Sequence, residues 1–147
     1  MSNKLQILLI VVLFALLIFL RGFFDTYMYD PLISYFKSDY LYIEFPEINN
    51  LKYTFSLFFR FSINTIISLI IIYLFYKNGN YVRFALKFYI AMFILLSVIL
   101  ILDLNYRFFN TYMVVFYARR FLIHPVFLIV LLPAFYYQKL QNISSKK

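Results

Sequence analysis

The residues best suited to chemistry lie in two short stretches of an otherwise apolar chain. In the first stretch, polar side chains recur at intervals of four residues, at Ser56, Arg60, Asn64 and Ser68. On a helix this spacing forms one slowly drifting stripe. A charge costs about 2.5–3.5 kcal/mol at the centre of a bilayer, so such a residue usually faces protein or a water-filled pocket. The stripe predicts an intramembrane polar site or a partner-facing surface. The alternative is that Arg60 extends to the lipid headgroups while Asn64 and Ser68 bond neighbouring helices.

The second stretch contains Arg119, Arg120, His124 and Pro125. Two guanidinium groups at a membrane boundary can bind a lipid phosphate or a carboxylate through paired hydrogen bonds. His124 has the one side chain type that titrates near neutrality without perturbation, but a lone histidine beside two arginines is more typical of packing or lipid contact than of catalysis. We therefore predict that Arg119, Arg120 and His124 contact a partner or a lipid.

The absence of certain residue types and motifs from the sequence argues against catalysis and proton-coupled transport by this chain. A membrane protease or transpeptidase needs an activated nucleophile or a metal. The chain has no cysteine, no His-Glu-x-x-His and no Gly-x-Ser-x-Gly. A proton-coupled carrier would place an acid within a membrane span, and no apolar segment has one in its core. We expect no catalytic residue, no metal and no cofactor. A small homo-oligomeric channel or carrier is a weaker alternative, and the sequence leaves the oligomeric state open.

Composition places these residues in a membrane. The 147 residues are 65% hydrophobic and only 14% charged, whereas soluble domains have about 25% charged residues. The net charge of +8 comes from basic residues that flank apolar runs, which favours contact with anionic lipids over nucleic acid. We predict an integral membrane protein.

The apolar runs predict an all-α fold with four transmembrane helices in a single domain, 1–147. No run alternates with period two, as a membrane β-barrel would require, and helices satisfy their own backbone in lipid. The predicted helices are 5–24, 53–76, 81–102 and 119–138.

The extracytoplasmic loop is predicted at 25–52. Within it, Asp30 and Pro31 are typical of an N-cap followed by proline at the first helical position. They predict a short amphipathic helix on the membrane surface, and Asn49 or Asn50 can cap the second transmembrane helix.

The distribution of charge predicts the orientation of the helices. The short connections and tails that contain Lys4, Lys77, Arg83 and Lys139 hold no acid, which is typical of the cytoplasmic side. We therefore expect both termini in the cytoplasm. A kink is expected at Pro133, and Asp103 is expected to form a solvated ion pair with Arg107, four residues on.

Several strings resemble the exosortase F system-associated proteins, small multipass proteins of Gram-negative bacteria. The resemblance runs nearly end to end. Its strings here are Tyr29-Asp30-Pro31-Leu32, Tyr35-Phe36-Lys37, Asp39-Tyr40, Phe58-Phe59-Arg60-Phe61 with Asn64-Thr65 and Ser68, Arg119-Arg120-Phe121-Leu122-Ile123 with Pro125, and Leu132-Pro133-Ala134-Phe135-Tyr136-Tyr137-Gln138-Lys139.

The resemblance implies a location in the bacterial inner membrane and an accessory role beside an exosortase, a multipass cysteine transpeptidase that removes C-terminal sorting helices from exported proteins. It implies no catalytic residue for this chain. Expected partners are the exosortase, its sorting-signal substrates and membrane lipids. We expect a non-catalytic subunit that assists substrate docking or stabilises the enzyme; the alternative is an anionic-lipid-binding or lipid-modifying protein.

Overall fold

Six α-helices make up the described part of the chain. The computed structural model describes residues 2–39, 42, 44, 47–106 and 112–146. The helices are α1 (Asn3–Tyr27), α2 (Pro31–Lys37), α3 (Asn50–Tyr76), α4 (Gly79–Tyr106), α5 (Tyr112–Ile123) and α6 (Val126–Ser144). The all-α fold predicted from the apolar runs is therefore confirmed for these residues.

Three of these helices are long and apolar enough to cross a membrane: α1, α3 and α4. Their mean hydropathy over an 18-residue window reaches 2.9, 2.0 and 2.6. A fourth crossing is possible only if α5 and α6 count together as one span, which is bent by 65°. The described residues thus give three candidate spans, or four with the bent pair.

The prediction of one continuous helix over 119–138 is wrong. Helix α5 begins at Tyr112, ends at Ile123, and is followed by a break at His124 and Pro125. Proline disfavours the helical conformation of the residue before it and has no N–H to donate. These two effects end α5 and let α6 start in a new direction. Helix α6 continues through Pro133, so the 65° bend lies at the break, and the kink at Pro133 stays a prediction.

Helix α3 is the centre of the bundle. It contacts α1, α4, α5 and α6, and half of its most apolar window is buried, compared with 11% for α1. Ile71 and Ile72 of α3 are completely buried, as is Leu128 of α6. The polar stripe therefore lies on the helix that the other long helices surround.

The short helix α2 begins as predicted. Asp30 is its N-cap and accepts a hydrogen bond from the Leu32 backbone N–H at 3.2 Å. The inner face of α2 packs on the bundle, since Leu32 is fully buried and the Phe36 ring lies 5.2 Å from that of Phe116 in α5. Asn49 caps α3 by accepting from the Lys52 N–H. The position of α2 on a membrane surface stays a prediction.

Asp103 does not lie in solvent as expected. Its side chain is buried, with 4% of the residue exposed, whereas the sequence predicts a solvated ion pair. Its proposed partner, Arg107, lies outside the described residues. The solvated environment predicted for this carboxylate is therefore wrong.

Candidate functional site

Arg60 is enclosed by the ends of neighbouring helices. Only 1% of the residue is exposed. Its Nη1 lies 3.2 Å from Asp30 Oδ2, and its Nη2 donates to the Phe24 carbonyl at 2.7 Å. Asp25 Oδ1 lies 3.7 Å from Nη1. A buried cation is stable only when paired and hydrogen-bonded, and these contacts supply both conditions.

Asp30 connects Arg60 to Arg119. Its Oδ2 accepts from Arg119 Nη2 at 2.6 Å and from Arg119 Nε at 3.2 Å. This contact through two guanidinium nitrogens is strong and directional. The Asp30 side chain is 1% exposed and that of Arg119 is 14% exposed. Because Asp30 also caps α2, one carboxylate links α2, α3 and α5. We call Asp25, Asp30, Arg60 and Arg119 the ion cluster.

Two residues of the polar stripe donate to backbone carbonyls near helix ends. The last carbonyls of a helix have no partner within it, and in lipid each must find one from protein. Arg60 adds a second donor to the Phe24 carbonyl in the last turn of α1, which also accepts from the Met28 backbone N–H at 3.0 Å, and a cation there interacts favourably with the helix dipole. Asn64 Nδ2 donates to the Ile123 carbonyl at 2.6 Å, at the end of α5. Asn64 thus stabilises the break between α5 and α6.

A cavity of about 700 Å³ lies beside the ion cluster. We call it the interhelical cavity. It is bounded by α1, α2, α5, the break and α6, and its lining residues are Phe14, Leu17, Ile18, Arg21, Asp25, Ile33, Phe36, Lys37, Phe116, Arg119, Arg120, Ile123, His124, Pro125, Val126, Leu128 and Ile129. Ligand sites of about 300–1,000 Å³ are typical of small molecules. Its size therefore suits a small molecule or a lipid headgroup.

The charges around the interhelical cavity are predominantly positive. Arg21, Lys37, Arg119 and Arg120 line it, and Asp25 is the one acid among the lining residues. Arg119 is neutralised by Asp30. Within the described part of the chain, neither a hydrogen bond nor an ion pair joins an acid to Arg21, Lys37 or Arg120. The cavity therefore presents three cations that can bind an anion.

The predicted site residues fall into two groups. Arg60, Asn64 and Ser68 are buried, at 1%, 8% and 0% exposed. The alternative in which Arg60 extends to the headgroups is wrong, because its guanidinium is paired inside the protein. Because all three residues are buried, none of them offers a surface to a lipid or a partner.

Arg119, Arg120 and His124 do line one cavity, but the two arginines do not act as a pair. Arg119 turns inward to Asp30, whereas Arg120 is exposed. Consecutive residues of an α-helix are separated by about 100° around its axis, so the two side chains leave α5 in different directions.

Sequence reasoning missed the ion cluster's acids and two of the cavity's cations. The signal for Asp30 was present: the sequence has only six acids, and Asp25 and Asp30 directly follow the first apolar segment. A buried Arg60 needed a counter-ion from this small set. Arg21 and Lys37 gave no comparable signal, since each stands next to a membrane-facing segment where basic residues are common.

Comparison with protein-family models, curated proteins and solved structures finds no match for this chain. Among the described residues, no group of three or more His, Asp or Glu side chains is arranged to hold a metal ion. The interhelical cavity and its charges are therefore the features that indicate a candidate function.

Proposed function

We propose that this chain is a non-catalytic membrane protein that binds an anionic amphiphile in the interhelical cavity. The observation that carries the proposal is the positive charge of Arg21, Lys37 and Arg120 beside apolar lining residues, since no ion pair among the described residues neutralises these three side chains. Guanidinium groups recognise phosphate and carboxylate through directional, charge-assisted hydrogen bonds.

The ion cluster supports binding by holding the walls of this cavity in place. Asp30 joins α2 to α3 and α5, while Arg60 joins α3 to the end of α1. Removing one partner of a buried salt bridge is strongly destabilising, because the other charge is left buried and unpaired. In this proposal Arg60 and Asp30 position the cavity, and the exposed cations contact the ligand.

The resemblance to exosortase F system-associated proteins supplies the cellular setting of the proposal. The protein would reside in the bacterial inner membrane with both termini in the cytoplasm, and the interhelical cavity would lie toward the extracytoplasmic side. There it would act beside an exosortase, assisting substrate docking or enzyme stability. The alternative is a protein that binds anionic lipid independently of any transpeptidase.

The test is affinity purification of a C-terminally tagged chain from native membranes, followed by mass spectrometry of bound proteins and lipids. The informative variant is Arg21→Gln/Arg120→Gln. The matched control is Arg83→Gln/Lys87→Gln, which removes two exposed cations of α4 outside the cavity lining.

We expect the wild type and the control to retain a multipass cysteine transpeptidase and an anionic amphiphile, and the informative variant to lose the amphiphile. Recovery of the amphiphile without a transpeptidase would favour the independent lipid-binding protein. Recovery of neither, at equal expression, would contradict the proposal.

A further inference from the structure

We infer that the ligand of the interhelical cavity is a lipid whose headgroup is a phosphomonoester, an inference that rests on the proposed function. Three properties of the cavity support a phosphomonoester lipid. They are the charge that remains after internal pairing, the separation of polar and apolar lining residues along the helices, and the volume.

The charge that remains favours a ligand with more than one negative charge. Within the ion cluster, two guanidinium groups face two carboxylates. Among the residues that line the cavity, Arg21, Lys37 and Arg120 are the cations without an ion pair in the described part of the chain. A phosphomonoester carries about −1.5 to −2 at neutral pH, whereas a carboxylate or a phosphodiester carries a single charge. A phosphomonoester also presents three acceptor oxygens, which can accept from more than one cationic side chain at once.

The lining changes from polar to apolar along the cavity. On α1, Arg21 follows Phe14 by seven residues, which is about 10 Å along the helix axis, and both line the cavity. Where α5 and α6 line the cavity, Arg120 precedes the break and Ile129 follows it. This order places cations at one end and hydrocarbon at the other, as an amphiphile requires.

The apolar end of the cavity adjoins the outer surface of the bundle. Ile18 is 75% exposed and Ile129 is 65% exposed, and both line the cavity. In a membrane protein such apolar exposed residues face lipid, which lets acyl chains continue from the cavity into the bilayer. The headgroup can therefore bind among the cations without removing its chains from the membrane.

The volume argues against a transmembrane sorting helix enclosed in the cavity. An α-helix about 10 Å across occupies about 420 Å³ per turn, so 700 Å³ holds fewer than two turns. A phosphate headgroup with its glycerol and the first methylene groups is a closer match to this space. A lipid is therefore the proposed occupant of the cavity.

The experiment is native mass spectrometry of the full chain in a non-ionic detergent with defined probes. The probes are dioctanoyl phosphatidic acid, dioctanoyl phosphatidylglycerol, dodecanoate and inorganic phosphate. We expect phosphatidic acid to bind most tightly, and Arg21→Gln/Arg120→Gln to weaken its binding at least tenfold while Arg83→Gln/Lys87→Gln leaves it unchanged. Each variant must elute from size-exclusion chromatography at the same volume as the wild type, which shows that it folds. If the double variant elutes differently, the single variant Arg21→Gln, at an exposed position, is used in its place.

The other outcomes separate the inference from the proposed function. If dodecanoate bound more tightly than phosphatidic acid, and Arg21→Gln/Arg120→Gln weakened that binding, the phosphomonoester headgroup would be wrong. The proposed binding of an anionic amphiphile would still stand. Equal binding of phosphatidylglycerol would overturn the preference for a doubly charged headgroup. Inorganic phosphate bound as tightly as phosphatidic acid would overturn the lipid. Absence of binding by every probe would overturn both the inference and the proposed function.

Discussion

Replacing Asp30 by asparagine should destabilise the bundle by about 3–5 kcal/mol, which is the cost of leaving a buried charge unpaired. In the wild type, Asp30 Oδ2 lies 3.2 Å from Arg60 Nη1 and 2.6 Å from Arg119 Nη2. At an effective dielectric constant of about 20, two charges 3.2 Å apart attract by about 5 kcal/mol. Asp30→Asn removes this attraction from two guanidinium groups. The free-energy cost of burying these charged groups is then no longer offset by the carboxylate.

Asp25 provides the matched control. Its carboxylate lies 3.7 Å from Arg60 Nη1, and its side chain is 35% exposed. Water screens a pair of this kind, so Asp25→Asn should cost less than about 1 kcal/mol. The two substitutions make the same chemical change within one cluster and differ in burial and in the number of partners.

The assay is equilibrium unfolding by sodium dodecyl sulfate in mixed micelles, followed by far-ultraviolet circular dichroism. A double variant, Asp30→Asn/Arg119→Gln, removes one charge of each sign. It should be less destabilised than the sum of the two single variants, with a coupling of about 0.5–3 kcal/mol. The reasoning fails if Asp30→Asn costs no more than Asp25→Asn, or if the effects of the single variants simply add.

Two further substitutions test the break between α5 and α6. Asn64→Leu leaves the Ile123 carbonyl without its 2.6 Å donor and should cost about 1–3 kcal/mol in the same unfolding assay; a cost equal to that of the exposed control Asn142→Leu would contradict this role. Pro125→Ala should let α5 and α6 straighten from their 65° bend, which would lengthen the distance between spin labels at the exposed Met113→Cys and Tyr137→Cys by about 6 Å. The native chain has no cysteine, so these labels are unique, and an unchanged distance would show that Pro125 does not cause the bend.

Local rules explain which features of the fold were predictable. Apolar runs predict the helices that become α1, α3 and α4, because backbone hydrogen bonds in lipid must be satisfied within the segment. The cap of α2 depends on Asp30 and residues directly after it. The four-residue spacing of Arg60, Asn64 and Ser68 predicts a common helix face, and all three are buried.

The tertiary structure decided which partners these residues have. Asp30 and Arg119 are 89 residues apart in the chain, and no rule of sequence spacing predicts their contact. The packing of four helices brings the two side chains together. The same packing encloses Arg60, which the sequence alone left free to extend to the headgroups. Likewise, two consecutive arginines predicted an arginine pair. In the orientation that α5 adopts, Arg119 contacts the ion cluster and Arg120 is exposed in the cavity. Sequence thus determined the helices and their polar face, while long-range packing determined the ion cluster and the cavity beside it.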